Sequence, residues 1–201
     1  NVPLTMGGKA KFMIQNVLAA VLATYLDGFK IEDIKVAIES FIPSPSQTPG
    51  RLNMFNFKNF KVLLDYAHNP AGFRAMKDFV DQIDASKKVG IVAGVGDRRK
   101  EDNNELGAIA AEMFDEIIIR QDRNLRGKNE ADLINEIHSG IKSVHPEKKV
   151  DIIRSEKDAI IHAINNAEKD SLVIVSSDVV PDALNLVMKL REKERATAVS
   201  V

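Results

Sequence analysis

The sequence predicts an α/β protein in which a mainly parallel, Rossmann-like sheet of about six strands is flanked by helices. Two observations support this prediction. Short apolar runs rich in β-branched residues, such as 117–119, alternate with longer segments whose apolar residues recur at helical spacing. The candidate strands are also apolar almost throughout, which is typical of parallel strands covered by helices on both faces. Right-handed crossovers between such units produce a doubly wound layer.

The strands are predicted where β-branched runs are bounded by turn residues or by a helical pattern. They cover residues 52–57, 61–65, 89–93, 116–120, 150–153 and 172–175. The helices of the same region are predicted from apolar periodicity, as in Phe73, Met76, Phe79 and Val80, which would face a core. They cover residues 71–83, 104–114, 130–144, 156–167 and 182–194, and the tail after Arg195 is predicted to be irregular.

Two further helices precede this region and are separated from it by a connector. Residues 11–26 form a strongly apolar pattern that predicts a largely buried helix, and residues 31–41 form an amphipathic one. Residues 43–50 contain three prolines and a glycine, which predicts an extended connector. We therefore expect a division into 1–48, two helices left from a neighbouring domain, and 49–201, the Rossmann-like domain. This organisation predicts a fragment of a longer protein.

Composition narrows the function classes. The formal net charge of −1, with both signs interspersed, gives no reason to expect nucleic acid or an anionic membrane as a partner. No cysteine is present, which excludes disulfides and thiolate catalysis and fits a cytoplasmic protein. The histidines lack metal-ligand spacing, so no metal site is predicted within these residues.

The first strand of interest ends in a turn, residues 65–70, that carries an acid and a histidine. Ligands of open α/β sheets bind at the carboxyl ends of strands, so Asp65 and His68 are candidates for ribose and phosphate contacts. Asn69 and Pro70 are also explained by their preference for helix starts. For the acid and the histidine, a functional role and a structural one remain equally open.

Three later strand-end loops are polar and charged, and their residues form a second candidate group. Cations suit a phosphate or carboxylate, and acids suit an amine or guanidinium. Each loop is equally well explained as a solvated surface turn, but all of them are predicted on one rim of the sheet. The candidates are Asp97, Arg98 and Arg99; Asp122, Arg123 and Arg126; and Ser176, Ser177 and Asp178.

Three short motifs resemble the carboxy-terminal domain of the Mur ligases, a family that includes peptidoglycan-building ligases and folylpolyglutamate synthase. They are Pro-Gly-Arg at 49–51, Asp-Tyr-Ala-His-Asn-Pro at 65–70 and Gly-Asp-Arg at 96–98. Within the family, residues 43–51, 97–101, 117–127 and 176–183 are most similar to the cyanophycin synthetase branch. Residues 16–20 resemble the end of the family's central ATPase domain.

The resemblance implies an ATP-dependent ligase that forms an amide bond through an acyl phosphate. In the cyanophycin branch, arginine is added to the aspartate side chain of a multi-L-arginyl-poly-L-aspartate polymer. By this likeness, Arg51 and His68 would be catalytic residues that contact the phosphates of ATP. Asp65 would position the ribose or adenosine, Asn69 would belong to the same nucleotide site, and the three later loops would bind the incoming amino acid.

The resemblance also implies what lies outside these residues. The Gly-rich phosphate loop and the Mg²⁺ ligands are expected in the central ATPase domain of the same protein, so the fragment alone would be inactive. A homo-oligomer of the full enzyme is left open. Two alternatives also stay open at this point: a Mur-type ligase that adds a different amino acid, and a non-catalytic nucleotide-binding module on the same fold.

Overall fold

A computed structural model describes residues 2–199, and within them it confirms the predicted α/β class. The sheet has six strands in the order β1-β2-β6-β3-β4-β5. Strand β1 is antiparallel to β2, and all other neighbouring pairs are parallel. The strands are β1 Asn53–Asn56, β2 Lys61–Asp65, β3 Lys88–Ala93, β4 Glu116–Arg120, β5 Lys149–Ile152 and β6 Leu172–Ser176.

Seven α-helices belong to the described residues, and a short 3-10 helix, Pro3–Thr5, precedes them. Helices α3 to α5 cover one face of the sheet, and α6 and α7 cover the other. The helices are α1 Lys11–Leu26, α2 Ile31–Ser40, α3 Pro70–Val80, α4 Lys100–Met113, α5 Glu130–Val144, α6 Glu156–Asn165 and α7 Val180–Val199.

The apolar strands bury side chains on both faces of the sheet, as the sequence predicts for parallel strands. In β2, Leu63 faces the core under α3 to α5, whereas Val62 and Leu64 face the core under α6 and α7. Strand β6 lies between β2 and β3, so the last strand of the chain is among the most buried. This insertion brings the turn after β6 next to the turns after β2 and β3.

Side-chain caps fix where the helices around the strand ends begin. The Asn69 side chain accepts a hydrogen bond from Gly72 N at 2.8 Å, and Pro70 is the first residue of α3. Asn129 and Ser155 cap α5 and α6 in the same manner. Each cap satisfies a backbone N–H that has no partner within the helix. The nucleotide-site prediction for Asn69 therefore coexists with a definite structural role.

Several details of the sequence-based prediction differ from the structure. Helix α1 has one buried residue, Met13, rather than a largely buried surface, because it packs only against α2, α3 and the 3-10 helix among the described elements. The connector is not extended: it turns, held by Asn53, which accepts from Gly50 N and donates to the Thr48 carbonyl. The predicted irregular tail after Arg195 is helical as far as Val199, and its last two residues lie outside the described range.

The two N-terminal helices expose an apolar surface, which we call the α1–α2 face. Leu18, Leu22 and Leu26 of α1 are all more than half exposed, as is Val36 of α2. An apolar groove of about 590 Å³ lies between the two helices. Contiguous exposed apolar surface of this kind is typical of sites that bind proteins, membranes or ligands.

Candidate functional site

The carboxyl ends of five parallel strands meet at one edge of the sheet, and every loop predicted to bind a ligand lies there. Strand β2 neighbours β6, β6 neighbours β3, and β3 neighbours β4. The loops after these strands therefore lie side by side in the order 66–69, 177–179, 94–99 and 121–129. The sequence-predicted residues thus share one rim, within which they form three contact groups.

Asp65 is the centre of the first group, but its carboxylate is turned toward backbone. One oxygen accepts a hydrogen bond from Leu52 N at 2.9 Å and the other from Ala67 N at 2.8 Å. Burial raises the pKa of Asp65 above its ordinary value, although these amides and the charge of Arg51 act in the opposite direction. Leu52 has a φ of 48°, a left-handed conformation that is costly for a residue with this side chain. Asp65 thus stabilises the strained turn that carries Arg51.

Tyr66 lies between the two predicted catalytic residues. Its ring contacts the guanidinium of Arg51, with Cζ 5.3 Å from the ring centroid, and the ring of His68, with the centroids 4.7 Å apart. Nδ1 of His68 is 3.1 Å from the Tyr66 carbonyl oxygen. A carbonyl only accepts, so Nδ1 carries the proton. On the other side, Arg98 is 3.5 Å from Nε2, too far for a strong hydrogen bond.

The second group joins the loops after β3 and β4. Arg126 forms an ion pair with Asp97. Gly96 lies so close to the Leu125 carbonyl oxygen that an added Cβ would come within 2.2 Å of it. These contacts hold the two loops together at the rim. Arg99, by contrast, pairs with Asp102 in the first turn of α4, which leaves it outside this group.

A buried polar network supports these loops from beneath. Asn103 of α4 accepts from Val95 N and donates to the Val95 carbonyl, so its amide completes the backbone hydrogen bonding of the loop after β3. The same side chain donates to Glu136 of α5 at 2.7 Å. Glu136 in turn forms an ion pair with Lys128, in the loop after β4. Because these partners are buried and hydrogen-bonded, both loops are fixed relative to α4 and α5.

The third group lines a cleft of about 720 Å³ between the loop after β4 and the first turns of α6 and α7. Its inner end is surrounded by four charged residues, Arg120, Asp122, Glu156 and Asp178. At the mouth of the cleft, Arg123 and Asp182 form an exposed ion pair. Ser177 donates from its hydroxyl to Glu156 at 3.0 Å. The side chains of Ser176 and Ser177 are buried, so neither is an open surface serine.

The carboxylates of this cleft influence one another. Burial raises the pKa of Asp122, and the negative charge of Asp178 raises it further. Burial acts in the same direction on Asp178, but Arg120 and a hydrogen bond with Asp122 outweigh it and lower the pKa of Asp178. Burial also raises the pKa of Glu156, partly offset by Arg120.

Three residues at the rim were missed by sequence reasoning. Tyr66 lies within the recognised motif but was given no role of its own. Arg120 is a charged residue at the end of an apolar strand. Buried charges nearly always have a partner, so this position in the sequence predicts an acid nearby. Glu156 gave no separate signal, since an acid in the first turn of a helix is ordinary.

Neither a metal site nor a membrane span is found in the part of the chain that the structure describes. Between residues 2 and 199, no three or more His, Asp or Glu side chains are grouped so that they could hold a metal ion. Over the same range, no helix combines the length and apolar character needed to cross a bilayer.

Comparisons with known proteins agree with this architecture. The chain is 43% identical to the cyanophycin synthetase of Nostoc sp. over 190 residues, which cover 94% of the chain and 21% of that protein. It is 42% identical to the cyanophycin synthetase of Synechocystis sp. over 186 residues, or 92% of the chain and 21% of that protein. The chain thus spans about a fifth of the length of these relatives.

Two solved structures share the fold. Escherichia coli FolC in complex with DHPP and ADP has a TM-score of 0.65 and 18% identity, covering 90% of this chain and 39% of that one. UDP-N-acetylmuramate-alanine ligase of Thermotoga maritima has a TM-score of 0.62 and 15% identity, covering 90% of this chain and 38% of that one.

Residues 50–179 match the family model described as Mur ligase, glutamate ligase domain. That range includes all the rim loops described above and ends one residue before α7 begins. This family model matches more than half of the residues of the chain, so the chain belongs to the Mur ligase family.

Proposed function

We propose that the chain is the carboxy-terminal part of an ATP-dependent ligase that adds arginine to the aspartate side chains of an Asp-Arg polymer. The observation that most supports arginine is the inner end of the cleft, where three carboxylates lie against one guanidinium, whereas the exposed outer lining is mainly basic, with Arg123, Arg154 and Lys157. Support for the reaction class comes from family membership and from the identity of up to 43% with cyanophycin synthetases. The reaction is assigned to the longer protein and not to these residues alone.

The proposed chemistry has two steps. First, an oxygen of the polymer's aspartate carboxylate attacks the γ-phosphorus of ATP, and ADP leaves, so that an acyl phosphate forms. Second, the α-amine nitrogen of arginine attacks the acyl carbon, inorganic phosphate leaves, and the nitrogen loses a proton to solvent. Charge on the transferring phosphoryl group is the main quantity that the protein must stabilise.

We assign that stabilisation in part to Arg51 and His68. Arg51 is exposed and free to move toward a nucleotide, while Tyr66 supports its guanidinium by a cation–π contact. Since Nδ1 of His68 donates to a carbonyl, Nε2 can donate to a phosphate only when the ring is doubly protonated. Arg98 lies 3.5 Å from Nε2, so a phosphate bound at this point would lie beside both side chains.

Asp65 and Asn69 remain predicted members of the nucleotide site. Both Asp65 oxygens accept backbone N–H groups, yet each oxygen of a carboxylate has a second lone pair that a ribose hydroxyl could use. The Asn69 oxygen caps α3, which leaves its amide nitrogen for a ligand. We propose that their main contribution is to hold Arg51 and His68 in place.

We propose that the incoming amino acid occupies the cleft and the loops beside it. Asp122 and Asp178 would form charge-assisted hydrogen bonds with the guanidinium of arginine. The α-carboxylate would pair with cations of the adjoining loops, for which Arg98, Arg123 and Arg126 are candidates. Asp97 and Ser177 would act by orienting neighbouring side chains, since their observed partners are Arg126 and Glu156.

Residues 1–48 are proposed to belong to a neighbouring ATPase domain of the same protein. The α1–α2 face would then be covered by that domain, which would also supply the phosphate loop and the Mg²⁺ ligands. The turned connector would act as the hinge, and its motion would bring Arg51 and His68 over the nucleotide. Gly50, with a φ of 69° and Val180 against it, fixes the orientation of the hinge in the described state.

The test uses the full-length protein with ATP, Mg²⁺, a short Asp-Arg primer, aspartate and arginine. Phosphate release and primer mass are measured for the wild type and for Arg51→Ala and His68→Ala. Both variants are expected to lose at least about 100-fold in kcat, by analogy with removal of one charge-stabilising donor. Arg74→Ala is the matched control, because Arg74 is an exposed arginine paired with Glu105 on α3 and α4, away from the rim.

Three outcomes would change the proposal. Primer growth with another amino acid, but not with arginine, would assign the protein to a different Mur-type ligase. Full activity in folded Arg51→Ala and His68→Ala proteins would remove these residues from the site. A folded, ATP-binding wild type that ligates no amino acid would favour a non-catalytic nucleotide-binding module.

A further inference from the structure

Arg120, the last residue of β4, has the most extensively bonded side chain at the rim. Its side chain is 4% exposed. The Nε atom is 2.9 Å from a Glu156 oxygen, and one terminal nitrogen is 2.7 Å from an Asp178 oxygen. The same terminal nitrogen donates to the Ser176 carbonyl at 3.0 Å, and the other donates to the Gln121 carbonyl at 3.0 Å.

These contacts cross the sheet rather than follow it. Strand β4 is not adjacent to β6, because β3 lies between them. Arg120 therefore connects the end of its own strand to the loop after β6 and to the first residue of α6. Ser177 donates to one oxygen of Glu156, and the other oxygen forms an ion pair with Arg120 Nε without the geometry of a hydrogen bond. A planar guanidinium with donors in fixed directions suits this task better than a lysine would.

The charges at the inner end of the cleft do not balance. Arg120 supplies one positive charge, while Asp122, Glu156 and Asp178 supply three carboxylates. The outer lining adds four exposed charged residues, so that four cations face four acids over the whole cleft; they are Arg123, Arg154, Lys157 and Asp182. The surplus of negative charge is therefore confined to the inner end, where a cationic group of the ligand would find unpaired carboxylate charge.

We infer that Arg120 is a positioning residue that makes the cleft selective for an amino acid with a cationic side chain. It fixes Glu156 and Asp178, and the carboxylate charge that it leaves unpaired is available to the ligand. Arg120 is nearly inaccessible, so it acts through the carboxylates and not by touching the ligand. This inference rests on the proposed function, because it concerns the amino-acid site of that reaction.

A buried arginine between two acids could also serve stability alone, and the two roles make different predictions. Loss of a purely structural contact would lower stability and would affect the binding of ATP and of the amino acid together. Loss of a positioning contact would raise KM for the amino acid selectively and would reduce the preference for a cationic side chain. The electrostatic argument favours the second result, since Arg120 lowers the pKa of Asp178 against the effect of burial and so keeps that carboxylate ionised.

The experiment uses the full-length protein and steady-state kinetics, with arginine, lysine and citrulline as amino acids. Citrulline matches the length of arginine but is uncharged. In Arg120→Met, KM for arginine is expected to rise at least tenfold, KM for ATP to stay within twofold, and the preference for arginine over citrulline to fall. Arg120→Lys, which keeps the charge but not the fork of donors, is expected to restore the preference only in part.

A double variant separates positioning from stability. Arg120→Met combined with Glu156→Gln removes one of the two carboxylate charges that the single change leaves without Arg120, so thermal stability should recover in part. KM for arginine should stay high, because Asp178 still lacks its anchor. If KM recovers together with stability, the positioning role is refuted. If Arg120→Met does not fold, Arg120→Lys and the double variant are compared with the wild type by the same measurements.

The remaining outcomes separate this inference from the proposed function. Arginine-dependent ligation by the wild type, with an unchanged KM in folded Arg120→Met, refutes the inference and leaves the function intact. A wild type that uses lysine instead of arginine refutes the arginine proposal, and KM for lysine then decides the role of Arg120. A wild type that uses only uncharged or acidic amino acids, or none, refutes both.

Discussion

Substitution of Gly140 by alanine should separate α4 from α5 and thereby weaken the support of the rim loops. Helix α5 crosses α4 with almost no space between the backbones. A Cβ added at Gly140 would lie 1.9 Å from the Asn104 carbonyl oxygen, and one added at Gly107 would lie 2.2 Å from the Ile137 carbonyl oxygen. Both obstacles are backbone atoms, so no side-chain rotation can relieve them.

The size of the effect follows from these distances. Ordinary contact for a Cβ begins at 3.4 Å, so the helices must move apart locally by roughly 1.5 Å. Overpacking in a core costs about 1–3 kcal/mol, while alanine gains about 1 kcal/mol over glycine within a helix. Because a rigid backbone must move, we expect the upper end of that range, a net loss of about 2 kcal/mol. For a chain of this length, that corresponds to a fall in Tm of roughly 4–8 °C.

Thermal unfolding of the 201-residue chain, followed by circular dichroism, measures this change. Gly72→Ala is the matched control, because it is the same substitution in α3 and a Cβ there meets the Asn69 oxygen at an ordinary 3.4 Å. The control should be neutral or slightly stabilising. An unchanged or raised Tm in Gly140→Ala would refute the close crossing of α4 and α5.

Two further predictions concern the cleft and the α1–α2 face. Burial raises the pKa of Asp122, and only the ionised carboxylate attracts a guanidinium. The affinity of the full-length protein for arginine should therefore fall on acidification, and the fall should begin at a higher pH than it would for an ordinary aspartate. Asp122→Asn should bind arginine more weakly at neutral pH and show a flatter pH dependence in calorimetric titrations; an unchanged pH profile would exclude Asp122 as the titrating group. Leu18→Asp should leave the Tm of the 201-residue chain nearly unchanged, since Leu18 is 61% exposed, but should lower the Tm of the full-length protein, where burial of a leucine contributes about 1.5–3 kcal/mol. Equal effects in both proteins would show that the α1–α2 face is not covered.

Much of the fold could be predicted because its signals are local. The ranges of β4, Glu116–Arg120, and of α5, Glu130–Val144, agree with the prediction, since changes of periodicity bound both and Asn129 caps α5. Helix α4 begins at Lys100 rather than 104, because Arg99 and Asp102 form a capping arrangement that apolar periodicity does not report. The prolines of the connector predict an extended segment. The connector turns instead, because the side chain of Asn53 in β1 binds its backbone.

The site was predictable in location but not in its contacts. Alternation of strands and helices predicts all the strand-end loops on one rim, and the loops that carry His68, Asp97 and Asp178 lie there. Nothing local indicates that Asp65 binds the Leu52 amide or that Arg120 reaches Glu156 and Asp178. Such pairs join residues that are remote in sequence, and their meeting depends on the order of the strands.

The sequence by itself determined the α/β class, most helix and strand positions and the family, because periodicity, caps and short motifs are encoded within a few residues. Only the tertiary structure decided which charges neutralise one another and which surfaces stay exposed. The insertion of β6 between β2 and β3 brings Asp178 within reach of Arg120 and places three carboxylates around one guanidinium at the inner end of the cleft. Electrostatic balance and burial depend on distances through space, and those distances are set when the strands assemble.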